Sequence, residues 1–138
     1  MSLRALPLVA IPLILYNLLM TFAGSTPADE FFRQPLFSIQ MLKGATWSFT
    51  RGDLVIFVTM SMLFVELIKS TWTGAASLVD HGLSMLVFII CIVEFLAVNA
   101  AATSTFFFIL FGALIDVVAG FTIGIRVARR DLSIGADV

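Results

Sequence analysis

Charge is scarce in this sequence. Only 12% of its 138 residues are Asp, Glu, Lys or Arg, well below the roughly 25% of a soluble domain. The eight basic and nine acidic residues leave a net charge of −1, so there is no basic field to hold nucleic acid. A single cysteine, Cys91, rules out an intrachain disulfide and leaves the redox compartment unreadable. A single histidine, His81, is too little for haem or a metal cluster, which want more ligands. No nucleophile–base pair and no metal set is legible. No catalytic, cofactor-binding or metal-ligating residue is therefore expected, and no enzyme activity. Internal repeats and low-complexity segments are absent as well.

Apolar residues fill the space that charge leaves. They make up 60% of the chain, and mean hydropathy is +1.08. A water-soluble fold of this size could not hide so much apolar surface, whereas lipid removes the need to hide it. Four apolar runs, 5–23, 54–72, 83–102 and 106–125, each approach the roughly 20 residues a helix needs to cross a bilayer. None alternates apolar with polar residues as a membrane β-barrel strand would. The expected fold is an all-α membrane protein, a four-transmembrane-helix bundle in one integral membrane domain over 1–138.

The first run follows Arg4 and ends at Ala23-Gly24-Ser25, which also describes a signal peptide with a passable cleavage site. Its apolar stretch exceeds the usual length of roughly 7–15 residues, so an uncleaved span is expected. Pro7 suits a first helical turn, and Pro12, lying deeper, predicts a kink.

The loop 24–52 is the only substantial one. Thr26-Pro27-Ala28-Asp29-Glu30 reads as a helix start, with a cap, a proline at the first position and acids in the first turn. Leu36 to Met41 and Trp47 to Thr50 alternate with a period of two around Lys43-Gly44, which predicts a short extracytoplasmic β-hairpin. Phe37, Trp47 and Phe49 would rest it on the bilayer surface or the helix ends. Asp53 is the expected cap of the second span. Ser77 and Asp80 are spaced like a capping box for the third. The third and fourth spans should form a tight antiparallel hairpin across the uncharged turn 101–105.

Four crossings put both termini on one side. Arg4, Lys69, Arg126, Arg129 and Arg130 fall there, against Arg33, Lys43 and Arg51 on the other. The excess makes both termini cytoplasmic. The terminal arginines would also touch anionic headgroups.

Three acids lie inside apolar runs: Glu66, Glu94 and Asp116. From a rise of 1.5 Å per residue, all three fall within a slab about 7–8 Å thick. Acids at such depth face the bundle interior and take partners, and burial with mutual repulsion favours a protonated form for at least one. Lys69, one helical turn from Glu66, is its natural partner. Thr59, Met62, Ser70 and Thr73 continue the face of Glu66 as a polar stripe. On the fourth span Gly112, Asp116, Gly120 and Gly124 recur every fourth residue. Small residues at that spacing admit a close helix neighbour, for which Ala97 and Ala101 could supply the surface. These acids read either as buried polar glue or as a proton or cation relay. His81 reads as an interfacial residue, Cys91 as an inert buried thiol, and Asn17 and Asn99 as cross-helix hydrogen-bonding groups. The phenylalanines read as lipid-facing or packing groups.

The stretches WSFTRGDL (47–54), SLVDHGLSMLVF (77–88), ATSTFFF (102–108) and DVVAGFTIGIRVARRD (116–131) resemble small four-span inner-membrane proteins of Gram-negative bacteria described as hypothetical. The resemblance covers most of the chain after Pro35 and implies a multi-pass protein of the bacterial inner membrane. It brings no activity, cofactor or site residue. Small multidrug transporters also have four spans, but their membrane glutamate lies in the first, where this chain has no acid. The expected function is a structural or accessory subunit that assembles in the lipid bilayer with itself or with a larger membrane complex. The alternative is a small proton- or cation-coupled transporter using the membrane carboxylates.

Overall fold

A computed structural model describes residues 6–71 and 75–135. The chain is mostly helical, in the order α1 (Ala10–Met20), α2 (Ala28–Arg33), β1 (Pro35–Gln40), β2 (Thr46–Thr50), α3 (Arg51–Lys69), α4 (Ala75–Ala97) and α5 (Ser104–Gly135), with a 3₁₀ turn at Asn99–Ala101. By length and composition two helices can cross a membrane, Val79–Ala97 and Ser104–Arg130. Only 28% and 39% of their apolar windows are buried within the chain. Their apolar surface thus faces outward, unlike that of a soluble core helix.

The first and second runs depart from expectation. The regular part of α1 is 11 residues long, not the whole of 5–23, of which Ala5 lies outside the described residues. Shorter-range turns extend it on both sides: Ala10 N–H donates to Pro7 O before it, and Ala23 N–H to Met20 O after it. Because the helix opens at Ala10, Pro12 sits in its first turn, where the missing N–H costs nothing. The kink expected there has no cause. Helix α3 runs over 51–69 rather than 54–72, which brings Arg51 and Asp53 inside it. Trp72 and Thr73 lie outside the described residues, as does Arg4. Helix α5 continues past Ile125 to Gly135.

Local chemistry explains the joints. Thr50, not Asp53, caps α3: its hydroxyl accepts from Asp53 N–H at 3.1 Å, and Asp53 Oδ2 accepts from Thr50 N–H at 2.8 Å. This reciprocal box satisfies two otherwise orphaned donors. In the preceding loop, α2 begins after Pro27, one position later than expected, and Thr26 makes no cap. Helix α4 already includes Ser77, whose side chain lies outside the described residues. The antiparallel hairpin pairs Phe37 with Phe49 and Ile39 with Trp47, and Gly44 at φ +89° closes its loop, a conformation natural only to glycine.

Helix α5 packs against both α3 and α4, and α1 lies chiefly against α3 with smaller contacts to α5 and α4. The core gathers Leu13 and Tyr16 from α1, Val55 from α3, Val87 and Cys91 from α4, and Phe106, Ile109 and Ala113 from α5. One end of the bundle carries α2, the hairpin and the α4–α5 turn. The other carries Lys69, the start of α4 and the second half of α5.

Candidate functional site

Lys69 is the centre of a buried polar cluster. Its Nζ lies 3.0 Å from Glu66 Oε2 and 3.1 Å from Asp80 Oδ1, and donates to Leu6 O at 2.8 Å. The side chains of Glu66 and Asp80 are 1% and 5% exposed. Glu66 Oε1 also accepts from Leu8 N–H. One ammonium thus joins α3, α4 and the segment that leads into α1. An ammonium offers three donors, and all three have an acceptor here.

Next to Asp80, the His81 imidazole is buried and lies across α5. A Cβ built on Gly120 would stand 2.7 Å from His81 Nδ1, and one on Gly124 3.7 Å from Nε2. Gly120 is therefore the slot that receives the ring. One helical turn further along both helices, Ser84 faces Asp116 across the same contact. Asp116 is 3% exposed and Ser84 1%, yet among the described residues Asp116 Oδ2 and Ser84 Oγ have no partner at hydrogen-bonding geometry. Higher on α5, a Cβ on Gly112 would meet Thr59 Cγ2 of α3 at 2.9 Å. Thr59 hydroxyl donates to Val55 O at 2.8 Å within its own helix.

The glycine stripe is therefore filled from within the chain, by Thr59 and His81. The opposing surface of Asp116 is Ser84, not the expected Ala97 and Ala101. Ala97 is exposed, and Ala101 is buried in the 3₁₀ turn.

Glu94 stands apart from the other two acids. It is half-buried and lines an open cavity of about 430 Å³ with Asn17, Val93 and Ala97. The expected slab of three acids does not form: Glu66 and Asp116 join Asp80 in one cluster, while Glu94 lies ten residues beyond Ser84 on α4, about 15 Å along the helix, and on another face. Among the described residues Asn17 makes no bond across helices; its amide donates to Leu13 O at 3.1 Å in its own helix. Cys91 is fully buried. Arg126, Arg129 and Arg130 are exposed.

Asp80, His81 and Ser84 are members of the cluster that sequence reasoning passed over. Their spacing, with Ser84 three and four residues after the other two, placed them on one helix face, and the small residues of α5 marked where that face would pack. At the far end, Tyr16 was also passed over. It is fully buried, stacks on Phe32 at 4.4 Å between ring centroids and meets Phe106 edge-on at 5.0 Å. Its hydroxyl donates to Ala100 O at 2.6 Å and lies 2.7 Å from Thr103 Oγ1, which itself accepts from Phe106 N–H. Thr103 hydroxyl must then donate to Tyr16 Oη.

Among the described residues, no three of His, Cys, Asp and Glu are placed to hold one metal ion. No family model, curated protein or solved structure matches the chain.

Proposed function

We propose that this protein is a four-span, single-domain protein of the bacterial inner membrane, with both termini cytoplasmic, that serves as a structural or accessory subunit. It would assemble with itself or with a larger membrane complex. Support for four spans comes from the turns that lengthen α1 at both ends and from the distribution of charge in α3. In α3 the charged residues Arg51, Asp53, Glu66 and Lys69 stand at the ends, around the uncharged stretch 54–65. Phe57, Met60 and Phe64 on that stretch point outward, as lipid-facing residues do.

One observation carries the accessory reading. The polar groups at the Lys69 end are engaged with one another, and the glycine stripe is closed by Thr59 and His81, while the hairpin stands open. Every residue of β1 is exposed, and Phe37, Trp47 and Phe49 form one ring cluster, with Phe37 and Phe49 stacked at 5.1 Å. A two-stranded sheet is marginal on its own, and a ring cluster with Phe37 and Trp47 exposed and Phe49 half-buried has the composition of an interface core.

The test is purification from native membranes in mild detergent, paired with the double variant Phe37→Ser, Trp47→Ser. A stoichiometric partner, or a homo-oligomer, that is lost in the variant without loss of thermal stability supports the reading. A monomer that moves protons or cations across vesicles overturns it in favour of the small transporter.

A further inference from the structure

We propose that Asp116 and Ser84 form an internal proton-binding site on the α4–α5 contact, reached from the Lys69 end of the bundle through His81. The site does not depend on the accessory reading. Two buried oxygens, Asp116 Oδ2 and Ser84 Oγ, lie on the same contact, and among the described residues neither has a partner at hydrogen-bonding geometry. Buried polar atoms left unpaired are rare and costly, and an unpaired buried carboxylate is the costliest kind.

The charges around the site point to a proton as its occupant. The groups acting on Asp116 are Lys69 from α3 and Asp80, His81 and Ser84 from α4, and Lys69 is shared with Glu66. With every acid ionised, three carboxylates would share one ammonium and one imidazole. Lys69 bonds Glu66 and Asp80 rather than Asp116. A hard metal ion asks for about six or more oxygens. Here the carbonyls of α4 and α5 are engaged in their own helices, and no metal-holding group exists among the described residues. A proton needs only one oxygen. Bound at Oδ2, it removes the unpaired charge and gives the carboxyl an O–H that Ser84 Oγ can accept once the two side chains close on each other.

The route follows from the antiparallel register. His81 packs on Gly120, one turn of α5 from Asp116 toward the Lys69 end. Its chain neighbour Asp80 bonds Lys69, whose side chain is 10% exposed. An imidazole in that slot can take a proton on one nitrogen and release one from the other.

Infrared difference spectroscopy of the full chain in lipid vesicles, stepped from alkaline to acidic buffer, tests the site. The expected result is a carboxylic-acid C=O band that grows on acidification, shifts on 13C-aspartate labelling and is lost in Asp116→Asn. Ser84→Ala is expected to keep the band and move its frequency, because the hydroxyl partner is gone. His81→Gln is expected to slow its downshift after transfer to heavy water. A pH-induced spectrum unchanged by Asp116→Asn overturns the site. If that variant does not fold, a wild-type band indifferent to 13C-aspartate, or unmoved by Ser84→Ala, overturns it equally.

Discussion

Lys69 is the residue on which the largest single effect rests. It bridges Glu66 and Asp80, both nearly inaccessible, so its loss leaves two buried acids facing each other. Lys69→Met is expected to cost about 3–5 kcal/mol, the usual penalty for breaking a buried ion pair from one side. Reversible unfolding in micelles measures it. The triple variant with Glu66→Gln and Asp80→Asn should recover much of the loss, since the uncompensated charge is removed. Gly120 supplies a second, steric prediction. Gly120→Ala puts a methyl 2.7 Å from His81 Nδ1 and should cost about 1–3 kcal/mol as overpacking. Gly124→Ala meets the ring only at van der Waals distance, 3.7 Å, and should be close to neutral. Equal effects in the same unfolding experiment would mean that His81 does not occupy the slot.

Between elements, Tyr16 fixes α1 to the turn that joins α4 and α5. Its hydroxyl serves Ala100 O and Thr103 Oγ1 at once, and Thr103 in turn holds the first turn of α5. Tyr16→Phe keeps the ring stacks and removes the hydroxyl, so about 1–3 kcal/mol should be lost to the buried groups left unpaired. Amide exchange should quicken at Phe106, whose partner Thr103 is freed. A loss of stability with no change at Phe106 would refute the linkage. What the sequence disclosed at this scale, and what it did not, follows from which coordinate was needed. The hairpin was legible because alternation by two, around a glycine turn, is a local signal. Position along a helix was legible only within its own span: rise per residue is constant, but hydropathy does not fix how one span aligns with the next. Ser84 lies level with Asp116, and Glu94, ten residues on along α4, stands about 15 Å from that level and about 80° around the helix. Neither depth nor azimuth brings Glu94 into the cluster. The ends of α1 and α3 were missed for another reason: hydropathy marks apolar composition, while Pro12 and the Thr50–Asp53 box decide where hydrogen bonding starts.

At the scale of the molecule, helices in lipid gain little from apolar burial against one another, because lipid tails are equally apolar; packing of small residues and interhelical polar contacts hold them. This bundle has a polar fastening at each end, Lys69 with Glu66 and Asp80 at one and Tyr16 with Thr103 at the other, and close glycine contacts between them. Segment 6–9 and α1 join both fastenings, through Leu6 and Leu8 at one end and Tyr16 at the other. The four-span reading places the hairpin and the chain termini on opposite sides of the membrane, and the molecule itself carries a convenient silent background for testing it. Cys91 is fully buried and should not react with a membrane-impermeant maleimide. Leu42, at the tip of the hairpin, is fully exposed. In spheroplasts, Leu42→Cys should be labelled before lysis, and a cysteine appended after Val138 only after it. Labelling of both before lysis would put termini and hairpin on one side, which four crossings forbid. An amino-terminal epitope tag on the same protein should persist at full length, because release of the chain before Gly24 would strip Lys69 and Glu66 of their partners at Leu6 and Leu8.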